Sequence, residues 1–237
     1  LCIMSHIFNP NEPGSYSIHG STSPKKRIVM LHGVGGCASE FNEEAQYFAK
    51  HYPDCEIICI NGIKEMPYEI FKDVVSEEEF NARPGCFSWV APEQKLKPAT
   101  ERIAEILEER QKVAPCPTAL FGFSQGGFVA MEVANKRPEL LKSVFLHSSG
   151  IVYYEKSDAV KDKTLSKPTI NTLISIDDPY IRNPLIFMIM IPRHFWNSLK
   201  YTLNGYKSRT TITNGFGHNI NEKSRRIAAK KLDKAFQ

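Results

Sequence analysis

The chain has 237 residues, of which 42% are hydrophobic and 24% charged, with a formal net charge of +4. This length suits a single α/β domain over 1–237 with a full core, and the composition excludes disordered and collagen-like classes. The small, dispersed positive charge argues against a nucleic-acid partner and leaves only a weak preference for anionic surfaces. After an opening rich in Asn, Pro, Gly and Ser, "KRIVMLHG" at 26–33 reads as a buried strand stopped by glycine. "SEFNEEAQYFAKHY" then has a helical period, with Ser39 placed to cap it. "CEIICING" at 55–62 is the next buried strand, and 63–97, with Pro67, Pro84 and Pro92 and no clean period, reads as a long loop.

Helical spacing returns in "ATERIAEILEERQKV", followed by the strand "TALFGF" and the helix "GFVAMEVANKR", which Pro138 ends. Two more strands are predicted in "KSVFLHSSG" and "TINTLISIDDP", then an amphipathic helix "RHFWNSLKYTLNG", a strand in "KSRTTITNGFGH" and a terminal helix "NEKSRRIAAKKLDKAF". Strands alternating with helices predict a mostly parallel central sheet covered by helices on both faces.

The six cysteines, at 2, 37, 55, 59, 86 and 116, form no CxxC pair and no zinc-spaced cluster, and most sit in apolar runs. They read as free buried thiols. Together with the lack of an apolar stretch long enough for a signal peptide or a span, this predicts a cytoplasmic protein without stable membrane insertion. The chain opens on "LCIMSHIF", so a start at Met4 and a longer translation both stay open.

Chemistry concentrates at "GFSQG", residues 122–126. A serine between two glycines, where a strand hands over to a helix, fits a nucleophile elbow: the sharp turn lifts Ser124 beyond the carboxyl end of the sheet. A serine hydroxyl needs a base and a group that orients the base. In this fold class the acid follows a later strand and the histidine comes near the end. His218 in "NGFGH" fits the base. Asp177 and Asp178 both fit the acid, and only one can aim at the histidine. Asp178 is preferred because Pro179 holds it away from the helical region, which leaves Asp177 as a turn residue. The oxyanion that forms on attack needs amide donors, assigned to Gln125, directly after the nucleophile, and to Val34 in the loop "HGVGG". His32 is placed to brace that loop, and His6, His19, His51, His147 and His194 have no motif around them.

These residues resemble the serine hydrolases of the α/β-hydrolase fold, and among them the phospholipase/carboxylesterase group that includes acyl-protein thioesterases. "LHGVGG" is similar to the group's "LHGxGG" loop, "GFSQGG" to its elbow, "DDP" to its Asp-Pro turn and "GFGH" to its final Gly-His. The resemblance implies Ser124 as nucleophile, Asp178 as acid, His218 as base, Val34 and Gln125 as oxyanion donors, and Trp89 in "GCFSWV" beside the acyl site. It implies an enzyme that cleaves esters or thioesters through an acyl-serine intermediate, without metal or cofactor. A lysophospholipase-type lipid hydrolase and a non-catalytic binding protein of the same fold are the alternatives.

Two features depart from the group. Its "HGxxDPxVP" pattern is replaced by "ISIDDPYIRNP", without the His-Gly pair, and "PLIFMIMIP" at 184–192 is unusually apolar. That segment reads either as buried core or as an acyl pocket lined by Phe187, Met188 and Met190.

Overall fold

Continuous apolar strands can be buried on both faces only inside a sandwich of helices, and this requirement organises the chain. The computed structural model describes residues 9–73, 75–83, 85–90, 95–151 and 157–237. Cys2, His6, Pro84 and Pro92 lie outside them. In chain order the elements are β1 (Tyr16–Gly20), β2 (Lys26–Leu31), α1 (Asn42–His51), β3 (Cys55–Ile60), β4 (Lys64–Glu65), α2 (Glu77–Asn81) and β5 (Phe87–Ser88). Then come α3 (Lys97–Val113), β6 (Thr118–Phe123), α4 (Gln125–Lys136), β7 (Ser143–His147), α5 (Asp158–Lys161), β8 (Thr169–Ser175), α6 (Pro179–Arg182), α7 (Pro184–Leu203), β9 (Lys207–Thr213) and α8 (Glu222–Phe236).

Seven strands form one sheet in the order β1-β3-β2-β6-β7-β8-β9, all parallel except β1, which pairs antiparallel with β3 at the edge. Alternation along each strand divides the core. Val29, Leu31, Leu120 and Val144 pack with Ile103, Leu107, Val129 and Val133 of α3 and α4. Ile28, Met30, Phe121 and Phe145 pack on the other face with Phe48 of α1 and Leu232 of α8. This is the α/β-hydrolase architecture.

Several local expectations change. Ser39 does not cap α1: a 3₁₀ turn over Ala38–Phe41 leads into the helix, whose cap position is Phe41 with no side-chain bond. Within 63–97, β4 and β5 pair antiparallel with α2 between them in sequence, and α2 is opened by a capping box between Ser76 and Glu79. β1 is half exposed, so its apolar signal is weak. "PLIFMIMIP" is the first half of α7, which runs through Pro192.

At the amino end of the sheet, the β2–β3 register sets Arg27 beside Glu56. Both are fully or almost fully buried. The Glu56 carboxylate also receives Arg110, while Arg27 Nη2 donates to the carbonyls of Arg110 at 3.1 Å and Ala114 at 2.8 Å, closing the end of α3. Glu56→Gln strips the anion from between two guanidiniums. It is expected to cost about 3–5 kcal/mol in urea unfolding, because the buried Arg27 charge loses its partner.

Candidate active site

The site grows from the junction of β6 and α4. Ser124 adopts φ 51° and ψ −116°, a left-handed backbone that costs a non-glycine residue about 1–3 kcal/mol. Two absent side chains make the turn fit. A Cβ at position 122 would lie 2.5 Å from the Gly126 carbonyl oxygen, and one at position 126 would lie 2.2 Å from that of Leu31. Both neighbours are backbone and cannot swing aside. The Ser124 amide donates to the His147 carbonyl at 3.0 Å, and the Gly127 amide donates to Ser124 at 3.0 Å.

His218 Nε2 stands 3.0 Å from Ser124 Oγ, and its Nδ1 stands 2.6 Å from Asp178 Oδ2. A carboxylate only accepts, so Nδ1 carries the proton and Nε2 is free to accept from the serine hydroxyl. Asp178 is 1% exposed. Its φ of −62° and ψ of 122° are extended, as the following proline demands. Its Oδ1 accepts from the Tyr180 amide at 2.9 Å, which fixes the plane of the carboxylate. The imidazole is held between the Tyr180 ring, with centroids 4.6 Å apart, and the Phe123 ring at 5.2 Å.

Asp177 points elsewhere. Its carboxylate accepts from the amides of Gly215 at 2.8 Å and Gly217 at 3.3 Å and from the Ser175 hydroxyl. These bonds, with the Ser175 hydroxyl foremost, hold its carboxyl below the usual carboxylate range. It therefore clasps the loop that carries His218. Relative to the group's His-Gly pair, the equivalent positions here are Ile174 and Ser175. Ile174 lines the cavity beside Ser124, and Ser175 supports the clasp.

The loop from 32 to 36 is braced from behind. His32 Nε2 accepts from the Gly62 amide at 2.8 Å, so its Nδ1 donates to the Gly33 carbonyl at 2.6 Å. Burial lowers its pKa to about 4, which keeps the ring neutral. Gln125 opens α4, where first-turn amides lack intrahelical partners. Its side-chain carbonyl accepts from the Trp89 amide at 2.9 Å and Ser88 Oγ at 3.2 Å.

A cavity of about 360 Å³ opens beside Ser124. Val34, Ser124, Asp178 and His218 line it together with Phe128, Ile174, Ile181, Ile186, Met190 and Ile191. Three residues expected at an acyl pocket lie outside its lining. Trp89 is fully buried, with its indole donating to the His32 carbonyl at 2.8 Å, so it supports the loop and does not face the cavity. Phe187 and Met188 are 44% and 71% exposed, which also rules out the core reading of their segment. The reason is helical phase: Ile186, Met190 and His194 recur every four residues on the inward side, and Met188 lies ~200° round the axis from Ile186. His194 lacked any motif, yet it lines the cavity. Its Nδ1 accepts from the Ile151 amide at 3.0 Å, and its Nε2 donates to Thr210 Oγ1 at 2.8 Å. Burial lowers its pKa to about 4. Its place four residues after Met190 is the sequence signal that reveals it.

A seven-stranded, mostly parallel sheet with a strained serine turn at its carboxyl edge defines an α/β hydrolase. The chain matches the phospholipase/carboxylesterase family over residues 16–236 and belongs to it. No curated protein sequence matches it significantly. Among solved structures, esterase PE8 is similar with a TM-score of 0.68 and 20% identity, covering 95% of this chain and 99% of that one. A Bacillus cereus carboxylesterase is similar with a TM-score of 0.64 and 15% identity, over 94% and 95%. A Mesorhizobium loti carboxylesterase has a TM-score of 0.66 and 14% identity, over 93% and 94%. At these identities the likeness is one of fold.

The clasp gives Asp177 more than the role of a turn residue. Asp177→Asn is expected to lower kcat by on the order of 10- to 100-fold by misplacing His218, with KM little changed. Steady-state kinetics on a soluble ester checks this, and an unchanged kcat would return Asp177 to a passive turn.

Proposed function

We propose that the protein is a serine hydrolase that cleaves carboxylic esters or thioesters with an apolar acyl group, through an acyl-serine intermediate. The observation that carries this reading is the chain of short contacts from Ser124 Oγ through His218 to the buried Asp178, set at the mouth of an apolar cavity. Ser124 attacks the carbonyl carbon while His218 Nε2 takes the hydroxyl proton, and Asp178 stabilises the imidazolium. The amides of Val34 and Gln125 serve the oxyanion as it develops. His218 then protonates the departing alcohol or thiol, and a water activated by the same ring releases the acid.

The surroundings of Val34 suggest how the two halves of a substrate divide. On one side is the apolar cavity. On the other is a cleft of about 230 Å³ lined by Glu40, Glu44, Arg83 and Asn219. The acyl chain fits the first and a polar leaving group the second. The whole chain, 1–237, is read as one hydrolase domain, since its sheet draws strands from Tyr16–Gly20 through Lys207–Thr213. Among the described residues five cysteines are buried and free of disulfides, which supports a reducing, cytoplasmic setting. Among the described residues no helix is long and apolar enough to cross a membrane.

A fluorophosphonate probe is expected to label the parent and not Ser124→Ala, whose ester turnover falls by roughly 10⁶. Asp178→Asn is expected to lose on the order of 10⁴ by leaving His218 in the wrong tautomer. Labelling that survives in Ser124→Ala would assign the nucleophile elsewhere.

The acyl assignment has its own test. Turnover across esters from acetyl to palmitoyl should favour longer chains, each methylene adding up to about 0.8 kcal/mol until the cavity is full. Met190→Lys should flatten that preference while leaving acetyl-ester turnover within a few-fold, about 1 kcal/mol. A parent with no chain-length preference contradicts the assignment.

A further inference from the structure

Helix α7 is built inside out. Its inward face carries His194, Asn197 and Tyr201, all buried and hydrogen-bonded. Its outward face carries Leu185, Met188, Phe195, Trp196, Leu199 and Leu203, each between 47% and 71% exposed. At 3.6 residues per turn these six positions fall within about 100° of one another round the axis, so they share one face of the helix, with exposed Pro192 between Met188 and Phe195. Single exposed apolar residues are ordinary, but a contiguous stripe of this length marks a surface that meets something.

Charge narrows what that partner is. From Pro179 to Asn221 the sequence has no Asp or Glu and five cations: Arg182, Arg193, Lys200, Lys207 and Arg209. Arg193 and Lys200 follow the same flank of α7, and Lys200 Nζ stands 5.3 Å over the Trp196 ring. An apolar stripe with Trp in it, edged by cations, is the pattern of a helix lying in the headgroup region of an anionic bilayer. A symmetric contact with a second copy would bring this all-basic segment against itself, with no carboxylate in it to answer the cations.

The geometry points to a docking surface: we propose that the outward face of α7 seats the protein on anionic phospholipid. The helix lies in the interface plane and does not span. This deepens the hydrolase reading, on which its catalytic meaning rests. Ile186, Met190 and Ile191 on other sides of the same helix line the cavity beside Ser124. An acyl chain leaving the bilayer would therefore reach the nucleophile past one helix, and the natural substrates are amphiphilic esters presented at a lipid surface.

Docking is tested on Ser124→Ala protein, so that it is read apart from turnover. Co-sedimentation uses vesicles of phosphatidylcholine alone or with about one third phosphatidylserine. Binding is expected only to the anionic vesicles and is expected to weaken as salt rises. In the same background, Arg193→Gln with Lys200→Gln should lower partitioning roughly 30-fold, about fivefold per cation. Met188→Glu with Trp196→Glu should lower it more than about tenfold. In the Ser124-containing protein, either pair should leave acetyl-ester turnover in solution unchanged, which shows that the fold is intact. Absent binding to anionic vesicles, or binding that neither pair weakens, overturns the proposal. So does a concentration-dependent dimer broken by Trp196→Glu in a protein that ignores vesicles, which would give this face to a second copy. Failed probe labelling with intact vesicle binding would sink the hydrolase reading and spare the docking surface.

Discussion

The close approach of α4 to the end of β2 is the constraint on which the site depends. It exists because positions 122 and 126 lack side chains: any Cβ there would meet backbone at 2.5 and 2.2 Å. With that space open, the first turn of α4 lies against the strand whose exit forms the loop at 33–36. The start of the helix and that loop then lie side by side at Ser124. The chain reverses sharply enough only if Ser124 takes a left-handed conformation, and that conformation lifts Oγ to within 3.0 Å of His218. Strain at the serine is offset by the strand pairing and helix packing on either side of it.

Rigidity around Ser124 and His218 comes from polar side chains used as struts. His32 ties the loop at 32–36 to Gly62, the Gln125 side chain ties the serine turn to Ser88 and Trp89, and Asp177 ties the end of β8 to the His218 loop. His147, buried at the end of β7 against Phe121, Phe123 and Phe216, has its pKa lowered to about 3, chiefly by burial and then by His218. With His32 and His194 it remains uncharged at neutral pH. His218 therefore stands among histidines that burial keeps neutral.

The fold was legible in the sequence where burial is two-sided. β2, β3, β6 and β7 read as plain apolar runs because helices cover both their faces, and turn residues mark the exits of β2 and β6. β1 was missed because an edge strand alternates, and its few outward positions dilute the signal. The grouping of Ser124, Asp178 and His218 is legible because each sits in a turn whose signal is local: glycines, a following proline, and a glycine-rich exit. The cavity wall was harder to read. The family resemblance points to Trp89 and the apolar run at 184–192 to Phe187 and Met188, but whether a side chain faces a cavity is decided by helical phase and by what covers its other side. Asp177 shows the same limit, since its partners are amides some forty residues away, beyond any local pattern.

Helix α7 joins these themes, because its two faces meet different surroundings. The inward side must fill a wall next to Ser124, and it does so with Ile186 and Met190 near that serine and with hydrogen-bonded His194, Asn197 and Tyr201 farther along. Those polar groups cost little because each finds a partner in the body of the protein. The outward side has no such packing to satisfy, so water alone would favour charge there. Leu, Met, Phe and Trp occupy it instead, at the spacing of a deliberate stripe. Pro192 falls between the two halves and removes one backbone donor from the first turns. The segment that lines the cavity mouth thus meets the segment anchored by His194 and Tyr201 at a missing rung of the helix ladder.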